Sequence, residues 1–189
     1  MKVFIRVVLL FLVGSGAQAQ TYIDISSASY RDAYEAKSIF VEESLTDSDS
    51  VSVSLYKDPI YESVYVGYAK RINDLYLAFA VGEANIDGAK SFGVNPSLWY
   101  KDDVWEAYAE YEYLKDDADA WYYRTYLHAD VIQDFVFAGV YSERGVGRGP
   151  LVGLKFEKSD IGIKLFGVKL RKEEYGIGHM VSVALWLEF

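Results

Sequence analysis

From about residue 50 onward the chain alternates apolar and polar side chains with a period of two, a rhythm that fits strands and not helices. Val51, Val53 and Leu55 interleave with Ser50, Ser52, Ser54 and Tyr56, and Val64, Val66 and Tyr68 with Ser63, Tyr65, Gly67 and Ala69. Leu75, Leu77, Phe79 and Val81 alternate with Tyr76, Ala78, Ala80 and Gly82. Trp105, Ala107, Ala109, Tyr111 and Tyr113 alternate with Glu106, Tyr108, Glu110 and Glu112. An amphipathic helix needs apolar residues three and four apart, and these segments lack them. The chain reads as all-β.

Ten strands are indicated near 50–57, 61–70, 73–83, 92–101, 104–114, 119–128, 131–142, 150–157, 160–170 and 178–189. A further pair near 21–27 and 36–45, carried by Ile23, Ile25, Ile39 and Val41, brings the preferred count to about 12, with 10 or 8 as alternatives. Tight, Asp-rich links (Thr46 to Asp49, Arg71 to Asn73, Asp102-Asp103, Ala129-Asp130, Lys158-Ser159) alternate with mostly longer ones (Lys57 to Ile60, Glu83 to Ser91, Lys115 to Asp119, Glu143 to Gly149, Arg171 to Gly178). That alternation is expected of an up-and-down barrel with short turns at one end and longer loops at the other. Pro96 falls inside a strand, where it removes a ladder hydrogen bond, so a bulge or an early strand end is expected. Segment 160–170 changes phase near Leu165-Phe166, and 131–142 is apolar on both faces.

The first residues read differently. Lys2 and Arg6 precede an apolar run from Val7 to Val13, and Ala17-Gln18-Ala19 is an A-x-A cleavage signal. The run is too short to span a bilayer, so 1–19 is expected to be a cleaved signal peptide and 20–189 a single barrel domain. With 28 acidic against 19 basic residues, the chain lacks the basic face that nucleic acid requires. The absence of cysteine removes disulfides, thiolate metal sites and cysteine nucleophiles.

A soluble sandwich would also alternate, but its outward face would carry abundant Lys and Glu. Here the non-apolar face is small or tyrosine (Ser52, Ser54, Gly67, Ala78, Ala80, Gly82), as in a crowded interior behind a lipid-facing band. Segments of about ten residues suit tilted spanning strands. Tyr61, Trp99, Tyr100, Trp105, Tyr113 and Trp121 at strand ends suit interfacial girdles. Unpaired backbone is not tolerated in lipid, so the sheet must close. The last segment carries Val181, Val183, Leu185, Leu187 and Phe189 at every second position, ending on the terminal residue. This resembles the terminal strand of bacterial outer-membrane β-barrel proteins, of the small-barrel class that includes the OmpA transmembrane domain and OmpX/Ail-type proteins. The resemblance implies residence in the outer membrane of a Gram-negative cell, among its lipids and lipopolysaccharide. It also implies a last strand read by the barrel-assembly machinery.

If even-numbered residues of 104–114 and 119–128 face inward, pairing about a tip at Asp117 sets Glu110 opposite Arg124 and Glu106 opposite His128. A two-residue Asp102-Asp103 turn sets Trp99 opposite Glu106. Glu112, Lys155 and Lys164 extend the mixed-charge lining. Paired interior charges fit a plugged or constricted lumen, because buried charges need partners, and the role expected is structural or that of a narrow, porin-like channel. An enzyme acting on lipid A acyl chains is the alternative, and binding through the outer loops is another. Catalysis is not expected: the chain has only His128 and His179, and Ser182 falls on the opposite strand face from His179. No metal or cofactor is expected either, since Asp47-x-Asp49 and Asp116-Asp117-x-Asp119 lack the Gly and distal Glu of a calcium loop.

Overall fold

The computed structural model describes residues 20–30, 34–115, 120–133, 135–144, 146–158, 161–169 and 179–188. It holds twelve strands: β1 (Thr21–Tyr30), β2 (Tyr34–Ser44), β3 (Asp49–Lys57), β4 (Tyr61–Ile72), β5 (Leu75–Ile86), β6 (Ala89–Lys101), β7 (Trp105–Leu114), β8 (Trp121–Ile132), β9 (Val136–Glu143), β10 (Gly147–Lys158), β11 (Ile161–Lys169) and β12 (His179–Glu188). Each pairs antiparallel with its chain neighbours, and β1 pairs with β12 to close the barrel. The segments read as 1–19 and the terminal Phe189 lie outside the described residues.

The period-two pattern becomes two faces. Val64, Val66, Leu77, Phe79, Val81, Leu98, Leu127, Val140, Val152, Ile163, Val183 and Leu185 all stand exposed on the outside. Cross-strand register aligns Val66, Val81 and Val94 as a ridge over β4–β6 that runs on to Tyr113 and Trp121, while Val53 and Val41, next in the same row on β3 and β2, are buried. β-Branched side chains directly opposite one another are favourable cross-strand partners. Charges bracket the band: on β4 the outward Glu62 and Lys70 flank Val64, Val66 and Tyr68. In water such a face would be an aggregation surface, whereas in hydrocarbon it is the required one.

The interior is lopsided. β3–β6 present mostly Ser, Gly, Ala and Asn inward (Ser52, Ser54, Gly67, Ala78, Ala80, Gly82, Asn95). While Tyr61, Tyr65, Tyr76 and Trp99 are the bulky inward side chains of β4–β6, β7–β12 present most of the charged groups. An apolar cluster of Ala36, Phe137, Tyr141, Val146, Leu151, Val168 and Met180 packs there, joined by Tyr126 and Phe166. Glycines make room for rings from other strands: a Cβ on Gly153 would collide with the Phe137 ring and on Gly162 with Trp186, both on adjacent strands, and on Gly93 with the Tyr65 hydroxyl two strands away.

Several local expectations are corrected. The segment 83–91 is not a loop: β5 and β6 run through it to Ile86 and from Ala89, joined by Asp87 and Gly88 at φ 52° and 93°. Two successive left-handed residues make the tight hairpin turn that Asp-Gly favours, because glycine adopts positive φ freely. Ala129-Asp130 is not a turn; β8 continues to Ile132 with a bulge between Asp130 and Ile132, and β9 begins at Val136. Glu143, read as loop, is the last residue of β9 and is buried. Pro96 neither bulges nor ends β6. Pairing with β7 skips Asn95 and Pro96, going from Val94↔Tyr113 to Ser97↔Glu110 without a register change, while Pro96 stays opposite Phe79 on β5. The phase change near Leu165-Phe166 is absent: Ile163 and Leu165 face out, and Phe166 and Val168 face in toward the apolar cluster.

Candidate functional site

The lumen gathers the polar chemistry. As the alternation requires, Glu110 lies opposite Arg124 and Glu106 opposite His128. Arg124 Nη2 is 2.9 Å from Glu110 Oε1, and the Tyr108 hydroxyl donates to Glu110 Oε2 at 2.7 Å. Trp99, however, lies opposite Tyr108, and Lys101 takes the place facing Glu106. The cause is the turn. Asp103 and Val104 are its central residues, with Asp102 N–H donating to the Trp105 carbonyl at 3.0 Å. The Asp102 carboxylate accepts from the Val104 and Trp105 amides at 2.8 and 2.7 Å, which fixes this centre one residue later than a plain Asp-Asp reading.

Glu106, His128 and Lys164 form one cluster. Lys164 Nζ lies 2.7 Å from Glu106 Oε1 and 3.0 Å from His128 Nε2, and Glu106 Oε2 lies 3.4 Å from His128 Nε2. The Tyr126 hydroxyl donates to Glu106 Oε1 at 2.8 Å. His128 is only 2% exposed, stacked on Tyr126 and against Phe137 with ring centroids 5.6 and 4.3 Å away, and its Nδ1 is buried without a hydrogen bond. Lys155 pairs with Asp130 at 2.7 Å.

Glu112 also faces in, but its partners are hydroxyls, not a cation: Tyr61 and Tyr65 both donate to Oε1. Three lumen carboxylates escape a reading from charge pairing alone. Glu143 accepts from Tyr122 and Tyr141, Glu42 accepts from Tyr76, and Asp24 sits where Lys164 acts on it. The usable signal was tyrosine on the inward face of the same or a nearby strand, and it was misassigned. Tyr61 and Trp99, expected at the membrane girdle, point inward, Trp99 packing edge-on against Tyr76 at 6.3 Å. Tyr113, Trp105 and Trp121 are exposed on the outside.

The lumen therefore holds seven described carboxylates (Asp24, Glu42, Glu106, Glu110, Glu112, Asp130, Glu143) against Arg124, Lys155 and Lys164, with Lys101 and Arg71 joining them from the exposed strand ends. His179 is exposed at the start of β12 while Ser182 is buried on the opposite face, so the two do not form a catalytic pair. Neither histidine is hydrogen-bonded to a serine or threonine among the described residues. No group of three metal-ligating side chains occurs among the described residues. Along β12, Val181, Val183 and Leu185 are exposed on the outside and Leu187 is half-buried on the same face.

No family model and no curated protein matches the sequence. Solved structures do match the fold. The structure described as KdgM porin superposes with a TM-score of 0.56 at 7% identity, covering 89% of this chain and 99% of that one. The NanC porin gives 0.52 at 11% identity, covering 88% and 98%. The COG4313 outer membrane channel from Pseudomonas putida F1 gives 0.52 at 11%, covering 90% and 95%, and LpxR from Salmonella typhimurium gives 0.50 at 11%, covering 89% and 100%. Such identities speak for architecture and for nothing finer. The chain has the closed, twelve-stranded antiparallel barrel of bacterial outer-membrane β-barrel proteins.

Proposed function

We propose that this protein resides in the outer membrane of a Gram-negative bacterium, exported by a signal peptide over 1–19, and serves there as a narrow, cation-preferring passage without enzymatic activity. The observation that carries the reading is the acidic excess inside a closed barrel of twelve strands. Eight strands, the OmpA/OmpX-type number, leave a lumen that side chains fill, whereas 16–18 leave an open channel. Twelve gives a bore in which individual side chains decide what passes. A lumen of net negative charge concentrates cations and repels anions. The porin and channel neighbours share the architecture, which supports the reading at the level of the fold.

Lipids and lipopolysaccharide would cover the valine ridge, and the assembly machinery would read Val181, Val183, Leu185, Leu187 and Phe189. Action on lipid A is not favoured, since His128 is buried in the lumen against Glu106 and Lys164. Nor is a loop-borne binding role. The outer links that are described throughout, over 58–60 and 87–88, are short.

Reconstitution in planar bilayers under a potassium chloride gradient tests the proposal. Discrete steps with a reversal potential of cation-selective sign are expected. Silence from a folded barrel, or anion selectivity, overturns it. Release of fatty acid from lipopolysaccharide by the purified protein, lost in His128→Ala, would establish the enzyme instead.

A further inference from the structure

We propose that Lys164 is the side chain that sets the bore of this lumen. The inference rests on the channel reading and names the residue that governs its size limit. In the wall, β7 and β11 are separated by β8, β9 and β10, yet the Lys164 ammonium on β11 meets Glu106 on β7 and His128 on β8. The other lumen ion pairs hug the wall: Glu110–Arg124 joins adjacent strands, and Lys155–Asp130 strands one apart. Lys164 instead cuts a chord through the interior.

The strut is braced from several sides. Its ammonium lies 5.2 Å from the Tyr126 ring centroid and 5.0 Å from that of Phe137, within cation–π range. Asp24 on β1 adds a favourable charge interaction. Glu106 is held in turn by the Tyr126 hydroxyl. A lysine nearly enclosed in protein does not wander, because leaving its carboxylate strands a desolvated charge. The strut therefore fences off the β7–β11 side of the lumen and leaves solute the β3–β6 side, where small residues are interrupted by Tyr76, Trp99 and the Tyr61 and Tyr65 hydroxyls on Glu112.

The test compares the parent protein with Lys164→Met and Glu106→Gln in planar bilayers, and sizes the lumen with neutral polyethylene glycols of increasing mass. Gel mobility with and without boiling confirms that each variant is folded, and Glu106→Gln carries the test should Lys164→Met fail to assemble. Either variant is expected to raise single-channel conductance severalfold and to admit larger polymers than the parent does. A silent parent beside a conducting variant overturns the proposal together with the channel reading, because a parent that never conducts has no bore for Lys164 to set. A changed ion selectivity with an unchanged polymer limit overturns the proposal, because it would show only the loss of a charge. Variants identical to a conducting parent overturn the strut and leave the channel standing, whereas silence from all three overturns both.

Discussion

Tyrosine is the residue that makes this lumen possible. A carboxylate away from water needs donors, and a cation is only one kind. Glu112 takes two tyrosine hydroxyls and Glu143 takes two more, so the single Arg124, paired with Glu110 and directly across from Glu143, is not asked to neutralise each acid alone. Hydrogen bonds to an ionised acceptor are about twice as strong as neutral ones, which offsets part of the desolvation cost. Sequence exposed the acids of β7 by simple alternation, and with it the Glu110–Arg124 and Glu106–His128 pairs. It could not assign Tyr61 or Trp99, because an amphipathic ring at a strand end suits a lumen as well as a membrane interface. The outward face carries its own residue-scale prediction. Val66, 51% exposed and midway between Glu62 and Lys70 on β4, sits at the centre of the apolar band. Val66→Arg is expected to destabilise the barrel by about 2–4 kcal/mol in urea unfolding from lipid vesicles, the cost of a cation at mid-bilayer. A cost below about 1 kcal/mol would place Val66 at a wet interface and contradict the band.

Strand identity was readable because burial on a single face forces the two-residue period, and even the weak β1–β2 pair follows it. Strand ends were not, because Asp and Gly mark both broad loops and two-residue turns. Asp87-Gly88 illustrates the ambiguity: Glu83, Asn85 and Lys90 look like loop residues, yet they are the outward positions of a hairpin, with Lys90 Nζ 2.5 Å from Glu83 Oε1. The β6–β7 turn carries a prediction at this scale. The Tyr100 hydroxyl first, and then the Trp105 and Val104 amides, hold the Asp102 carboxyl below its ordinary value of 3.8. A group depressed in the folded state contributes fully above its unfolded pKa and stops contributing as pH falls through its folded one. Near pH 3.8, then, Asp102 keeps its charge and the turn stays closed, and it loosens only under more acid conditions. Hydrogen exchange at the Val104 and Trp105 amides should show this, with Asp102→Ala exchanging fast at every pH. Equal protection in the parent and Asp102→Ala would mean that the carboxylate does not hold the turn.

Closure is the property of the whole molecule that sequence supplied by exclusion, since an open sheet edge cannot survive in hydrocarbon. What sequence could not supply is how side chains of non-adjacent strands meet inside the lumen, as Tyr61 and Tyr65 of β4 meet Glu112 of β7 and Lys164 of β11 meets Glu106 of β7. A closed barrel with every backbone edge paired resists detergent. The purified protein is therefore expected to migrate at two positions on an SDS gel, one before and one after boiling, and to require detergent for extraction. A single mobility, or recovery as a freely soluble protein, contradicts membrane insertion. The joint between β1 and β12 differs from every other, for no short turn ties its two strands and their partners are some 150 residues apart along the chain, from Tyr22↔Glu188 to Tyr30↔Met180. Over half of its length the outward partners are Ser27 with Val183 and Ser29 with Val181, and the inward ones include Ser26 with Ala184. Small side chains hold that half of the seam, so if the tube ever parts sideways toward the lipid, the opening is expected to start there.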